Sequence, residues 1–354
     1  MSKFMQPRYA LFDTYSAGEQ PRDREYIKLN TNEAPYPPSP RVLSSLKQED
    51  IAGLRLYADP ECEALCQALA DFYGVEQDQV LAGNGSDELL NLCFMAWGGQ
   101  GAAFPDMTYG FYQVLADVHG MKANIIPLRE DYRLDDRDYL GLKQLIAIAN
   151  PNAPTGMAIE PRQVAHIAES NPDHIVMIDE AYVDYGAKSC VPLIKTHDNI
   201  VVVHTYSKSR SLAGGRLGYA IAQAPLIRDL RKLKNAISPY NVSGMMQKMG
   251  IAALEDKDYY TLHNRGIMDT RDRTAQQLRD IGFTVLPSLT NFVFAKHPSI
   301  GGEALYLALR KRGFLVRHFK APRTRDFIRV SIGTREQMAD FVAAAAQIIG
   351  GQKA

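Results

Sequence analysis

Short apolar runs, each bounded by polar or helical stretches, constrain this chain more than any other feature. The runs Gln79–Ala82, Gly101–Phe104, Ala123–Ile126, Leu145–Ala149, His174–Ile178, Ile200–His204 and Gly218–Ala222 alternate with amphipathic stretches such as Asp87–Trp97 and Pro161–Ser170. Strands that are apolar along their whole length need cover on both faces, and strand–helix alternation supplies it in a parallel sheet. The expected fold class is therefore α/β, with a large domain whose mostly parallel sheet is covered by helices on both faces. Asp59-Pro60 reads as the cap and first turn of a helix running to Gly74. After about Ser238 the pattern changes. A long helix over Val242–Ile281 is followed by a strand (Asn291–Ala295), a helix (Gly302–Arg312), two strands (Phe314–Arg317 and Phe327–Ile332) and a last helix (Thr334–Ile349). That order predicts a smaller α+β C-terminal domain. The expected division is an arm over 1–34, the large domain over 35–240 and the small domain over 241–354.

The length of 354 residues suits two domains. Basic and acidic side chains number 40 each, so a neutral chain offers no field for nucleic acid or for an anionic membrane surface. Any anion must be held by a local site. No apolar stretch approaches the roughly 18 residues of a spanning helix, and the first residues lack the order of a signal peptide. The four cysteines and eight histidines show neither a disulfide framework nor ligand spacing. The expectations are a cytoplasmic protein and no metal.

In open α/β sheets, ligands bind beyond the carboxyl ends of the strands. After the first run comes Gly83-Asn84-Gly85-Ser86-Asp87, leading into a helix. It reads either as a capped turn or as an anion site, where glycines admit backbone N–H groups and the helix N-terminus favours negative charge. It is not a dinucleotide fingerprint, because Glu88 stands where the third glycine belongs. It is not a nucleophile elbow either. After Leu145–Ala149 comes the rigid turn Asn150-Pro151-Asn152-Ala153-Pro154-Thr155-Gly156. After His174–Ile178 comes Asp179-Glu180-Ala181-Tyr182, where Asp179 is either a helix cap or an acid that must meet a cation. After Ile200–His204 comes Thr205-Tyr206-Ser207-Lys208, with Arg216 eight residues beyond the lysine. A lone lysine is ordinarily a solvated one. Here it shares one sheet edge with the glycine turn, the asparagine turn and the acid.

In that order the chain resembles the fold-type-I pyridoxal-phosphate aminotransferases, most closely those acting on histidinol phosphate. The resemblance spans nearly the whole chain. It is carried by Leu29-Asn30-Thr31-Asn32-Glu33-Ala34-Pro35, Gly85-Ser86-Asp87-Glu88, Pro154-Thr155-Gly156, Asp179-Glu180-Ala181-Tyr182, Ser207-Lys208 with Leu212-Ala213-Gly214 and Arg216, and Arg329 in Ile328-Arg329-Val330-Ser331-Ile332-Gly333. It implies that pyridoxal 5'-phosphate is the cofactor, held covalently by Lys208. Asp179 would pair with the ring nitrogen so that the ring acts as an electron sink. Tyr182 would donate to the phenolic oxygen, and Tyr109 would stack on the ring. The phosphate would be held at Gly85, Ser86 and Asp87, by Thr205, Ser207 and the bidentate fork of Arg216, and by Tyr57 of a second subunit, making a homodimer. One departure stands out: the family's asparagine before Pro-Thr-Gly is Ala153 here, with Asn152 one residue earlier. Either Asn152 reaches in, or Tyr182 acts alone.

For substrate, the resemblance implies Tyr15, Asn32 and the pair Arg317 and Arg329. A phosphate monoester carries more charge than an α-carboxylate and suits two cations. The expected reaction is thus histidinol phosphate with 2-oxoglutarate, giving imidazole acetol phosphate and glutamate in histidine biosynthesis. An aromatic amino-acid aminotransferase, an O-phosphothreonine decarboxylase and a non-catalytic cofactor-binding regulator remain alternatives.

Overall fold

The computed structural model describes residues 2–10 and 13–351. Its strands, in chain order, are β1 (Ile27–Lys28), β2 (Val80–Gly83), β3 (Ala102–Pro105), β4 (Ala123–Ile126), β5 (Leu145–Ala149), β6 (Val176–Asp179), β7 (Ile200–Thr205), β8 (Gly218–Ala222), β9 (Thr284–Val285), β10 (Phe292–Lys296), β11 (Phe314–Leu315), β12 (Arg317–His318) and β13 (Ile328–Ser331). A seven-stranded sheet has the order β2-β8-β7-β6-β5-β3-β4. It is parallel from β4 through β7, and β8 runs antiparallel between β7 and β2. Every residue of β2, β3 and β5 through β8 is buried, as continuous apolar runs require. Alternate side chains serve opposite faces. Ile146, Ile148, Ile178 and Val202 join one core, while Leu145, Ala147, Met177, Val201 and Val203 join the other.

A four-stranded antiparallel sheet, β12-β13-β10-β9, forms the smaller C-terminal domain with the helices Gly302–Lys311 and Arg335–Gly350. The N-terminal segment is tied to it. β1 pairs in parallel with β11, and the Leu29 carbonyl accepts from the Ser331 N–H.

Several expectations change in detail. The helix expected from Asp59-Pro60 begins at Glu63 and ends at Tyr73, before Gly74 at φ +65°. Asp59 still caps it, accepting from the N–H groups of Glu61 and Glu63. The single helix over Val242–Ile281 is two helices, Gly244–Glu255 and Lys257–Asp280, divided at Asp256, whose ψ of 52° leaves the helical region. The strand Phe314–Arg317 is two short strands with different partners. The divide expected at 240/241 does not match the packing: Val242, Ala252, Ala253, Leu254 and Tyr260 belong to a core of the large sheet. Only from Ile267 onward does the long helix contribute to the core of the small domain. No helix among the described residues is long and apolar enough to cross a membrane.

Candidate active site

The parallel strands deliver their carboxyl ends to one edge, and there all but three of the expected site residues line a single cavity of about 430 Å³. The exceptions are Gly85, Asn152 and Tyr57. On the side of the large sheet, β2 ends in a turn that enters the helix Ser86–Trp97 through Gly85 at φ +81°. The backbone comes close to Arg216 here. A Cβ on Gly85 would lie 2.7 Å from Arg216 Nη2, and one on Gly218 would lie 2.6 Å from Ser86 N. Two glycines thus keep open a concavity formed by a helix N-terminus and a guanidinium, a geometry suited to an anion. Gly85 shapes this concavity without lining it. Arg216 Nη2 meets Asp87 Oδ2 at 3.0 Å, and Tyr109 donates to Asp87 Oδ1 at 2.9 Å.

Asp179 closes β6. Its Oδ2 accepts from the Tyr112 hydroxyl at 3.0 Å and its Oδ1 from the Ala181 N–H at 3.1 Å. Burial pushes its carboxyl up to about 6, against the opposing pull of Tyr112 and the Ala181 amide. Lys208 follows β7, and Thr205 at the end of that strand accepts from the Ser207 N–H at 3.1 Å. The lysine amine donates to the Thr31 carbonyl at 3.2 Å. What exposure it retains is to the cavity. Burial, then the charge of Arg329, lowers its pKa to about 8, against the attraction of Glu33 and Asp87. The Tyr182 hydroxyl accepts from Asn32 Nδ2 at 2.8 Å.

The opposite wall comes from the arm and the small domain. Arg317 of β12 and Arg329 of β13 are direct cross-strand partners. Like charges so placed repel. Arg317 donates to the carbonyls of Ser16 at 2.6 Å and Ala17 at 3.0 Å, holding that segment beside Tyr15. Arg329 donates to the Asn30 carbonyl at 3.3 Å and lies between the rings of Phe292 and Phe319. Its Nε is buried without a hydrogen-bond partner. Tyr15 meets Tyr109 edge-on at 5.6 Å, so the two walls touch.

Of the two alternatives left open for Asn152, the one in which it reaches into the site does not match its contacts. Its Oδ1 accepts from Thr108 at 2.8 Å, and its Nδ2 donates to the Met107 carbonyl at 2.8 Å and to Thr155 at 3.0 Å. These bonds turn it into a neighbouring cavity with Met157 and Leu289, and the methyl of Ala153 faces the site instead. Tyr57 is 80% exposed and stacks on Tyr240 at 4.3 Å, outside the cavity of its own chain. Sequence reasoning gave no role to Tyr112 or to the pair Ser331 and Asn291 that holds Asn32. Tyr112 lies three residues beyond Tyr109, in the first turn of the helix Phe111–His119, and that spacing was the available signal.

With this geometry in place, likeness to known proteins is informative. The sequence profile of the class I and II aminotransferases matches residues 24–344. The chain belongs to the class I and II aminotransferases. This transaminase is 45% identical to the histidinol-phosphate aminotransferase of Marinomonas sp. (strain MWYL1) over 349 residues, covering 97% of this chain and 99% of the relative. It is 43% identical to that of Clostridium acetobutylicum over 344 residues, 97% of this chain and 98% of the other. In fold it is similar to the histidinol-phosphate aminotransferase of Sinorhizobium meliloti in complex with pyridoxal-5'-phosphate, with TM-score 0.87, 24% identity and 99% of each chain covered. It is also similar in fold to an L-threonine-O-3-phosphate decarboxylase from Porphyromonas gingivalis, with TM-score 0.80, 20% identity, and 92% of this chain and 99% of the other covered.

Proposed function

We propose that this aminotransferase moves the amino group of histidinol phosphate to 2-oxoglutarate, with pyridoxal 5'-phosphate carried on Lys208. The residues fit the cofactor on three counts. The concavity kept open by Gly85 and Gly218 suits its phosphate, the half-buried amine of Lys208 suits its aldehyde, and the buried Asp179 suits a cationic ring nitrogen. When bound, the cofactor supplies an electron sink for the bond broken at the substrate carbon.

The protein's own groups do the rest. Ser86 and Asp87 N–H groups, Thr205, Ser207 and Arg216 hold the phosphate. Asp179, ionised at neutral pH, keeps the proton on the ring nitrogen. Lys208 Nζ would take the proton from the substrate carbon and deliver it to the C4′ carbon of the cofactor. With a pKa of about 8, about a tenth of free amines are neutral at pH 7, far more than for an ordinary lysine. Tyr15, packed against Tyr109, lines the cavity beside these groups.

The observation that carries the substrate is the cross-strand pair of Arg317 and Arg329, with Arg329 Nε buried and unpartnered beside the cavity. Two adjacent cations on one wall match a phosphate monoester better than a single carboxylate. The distal carboxylate of 2-oxoglutarate would use the same arginines. The names of the relatives, at 39–45% identity, support the same substrate. We place the work in the cytoplasm and in a two-fold-symmetric homodimer. Leu43, Ile51, Leu54, Leu56 and Tyr57 leave an exposed apolar band that a second copy would cover, and Tyr57 would reach the partner's phosphate.

A donor panel of histidinol phosphate, phenylalanine, tyrosine and O-phosphothreonine tests the proposal. Histidinol phosphate should give the highest kcat/KM. Faster turnover of phenylalanine, or release of carbon dioxide from O-phosphothreonine, would assign one of the other activities. Sedimentation under assay conditions should show a dimer.

A further inference from the structure

Asn32 occupies a demanding position. It is a non-glycine residue at φ +56°, a conformation asparagine tolerates better than most residues. Every polar atom it has is engaged. Its N–H donates to Ser331 Oγ at 2.8 Å, and its carbonyl accepts from Asn291 Nδ2 at 2.9 Å. Its side-chain Oδ1 accepts from Ser331 Oγ at 3.0 Å, and its Nδ2 donates to the Tyr182 hydroxyl at 2.8 Å. The serine decides which way the amide faces. Ser331 Oγ accepts from the Asn32 N–H and gives its one hydrogen to Asn32 Oδ1, which leaves the NH₂ end facing Tyr182.

The direction of that last bond has a chemical consequence. With an amide N–H as donor, the tyrosine oxygen is the acceptor. The hydroxyl hydrogen of Tyr182 is then free to point into the cavity. On the large-sheet side, Asn152 is turned away by Thr108, Met107 and Thr155, and the residue before Pro154 presents only the methyl of Ala153.

We propose that Asn32 is a positioning residue rather than a substrate contact: it fixes the Tyr182 oxygen as an acceptor and thereby aims its hydrogen at an anionic oxygen of the bound cofactor. The inference rests on the cofactor reading above. Through Ser331 and Asn291 it also ties the orientation of Tyr182 to the sheet of the small domain. The chain thereby tunes the cofactor from a site 150 residues away from Tyr182 in sequence.

The test is a pH titration of the visible absorbance band of the protein loaded with pyridoxal phosphate, without substrate. Donation to the phenolic oxygen favours the deprotonated form, so losing it moves the midpoint to higher pH. Tyr182→Phe should raise the midpoint by about one to two units, the size of one hydrogen bond to a charged group. Asn32→Ala should raise it by about half to one unit. Asn32→Asp should raise it further than Ala, because the carboxylate accepts the tyrosine's hydrogen and withdraws it from the cavity. Ser331→Ala, which releases the amide without touching Tyr182, should give a smaller shift of the same sign and serves if Asn32 variants do not fold. In a Tyr182→Phe background, Asn32→Ala should add nothing. An unmoved midpoint in both Asn32→Ala and Ser331→Ala overturns the proposal. So does an equal shift with Tyr182 removed, or a change confined to the donor KM. If the wild type forms no visible band with pyridoxal phosphate, the cofactor reading fails with it. A wild-type band with unmoved variants refutes the positioning role alone.

Discussion

The two walls of the cavity are built by opposite strategies. The wall of the large sheet is made where β2, β6 and β7 end, and each of its groups follows an apolar run: Ser86, Asp179 and Lys208. The facing wall is stitched from the arm and the small domain. Arg317 holds Ser16 and Ala17 across about three hundred residues of sequence, and Asn32 is held by Ser331 over a similar span. One wall is rigid because a buried sheet sets it. The other exists only when two distant parts of the chain meet. Chemistry common to many amino donors belongs on the first wall, and the choice of donor belongs on the second. Substitutions on the first should therefore lower turnover for every donor, and those of Arg317 and Arg329 on the second should discriminate among donors, whereas Asn32, which acts through Tyr182, belongs with the first.

Lys208→Ala is the severest case. It removes both the cofactor's attachment and the proton carrier, and loss of the general base alone costs about 10²–10⁴ in rate. Every donor should fail equally. Borohydride reduction followed by peptide mapping should place the cofactor label on Lys208, and a label on another lysine would refute this division of labour.

The same division explains what the sequence made legible. The α/β class, the sheet and the placing of the first wall's polar groups at one edge were readable because each directly follows a strand of buried apolar residues; their roles came from family resemblance. The second wall was readable only through family resemblance. Nothing in the spacing of Arg317 and Arg329 announces that β12 and β13 set them opposite each other. The place of Asn152 stayed open in the sequence because its partners Thr108 and Met107 lie on another loop, which sequence adjacency does not reveal. The break at Asp256 was missed because the helical pattern continues on both sides of it.

The arginines come next in size. Arg329→Ala should raise the KM for histidinol phosphate by about tenfold to a hundredfold, since a hydrogen bond to a charged group is worth ~1.5–3 kcal/mol. Arg317→Ala should raise it about tenfold. Part of its fork already holds Ser16 and Ala17, so it has fewer donors to offer, but its loss also frees the segment bearing Tyr15. Phenylalanine, which lacks a phosphate, should respond less to Arg317→Ala. Equal effects on both donors would erase the distinction between the walls.

The walls also meet electrostatically, and pH exposes it. Lys208 must be neutral to attack the cofactor's aldehyde, and burial with Arg329 lowers its pKa to about 8. Loading of the cofactor-free protein should therefore quicken about tenfold per pH unit below that value and level off above it. Arg329→Ala removes a charge that lowers this pKa, so the plateau should move to higher pH. Stopped-flow absorbance gives both curves. A plateau unmoved by Arg329→Ala would mean that burial alone sets the amine.

The smallest effect tests the first wall from within. Tyr112 donates to Asp179 and opposes the burial that raises its carboxyl to about 6. Tyr112→Phe removes that donor while keeping the ring among Phe94 and Phe104. The pKa of Asp179 should rise, because the bond favours the ionised form. A hydrogen bond of ~1.5 kcal/mol corresponds to about one pH unit. A rise of that size would take the ionised fraction at pH 7 from about nine-tenths to about one-half. Cofactor affinity in the variant should then fall about twofold at pH 7, more at pH 6, and return to the wild-type value by about pH 8.5, where both carboxyls are ionised. Equilibrium titration at three pH values measures this. A loss that is the same at pH 7 and pH 8.5 would show that Tyr112 acts through packing and not through the proton affinity of Asp179.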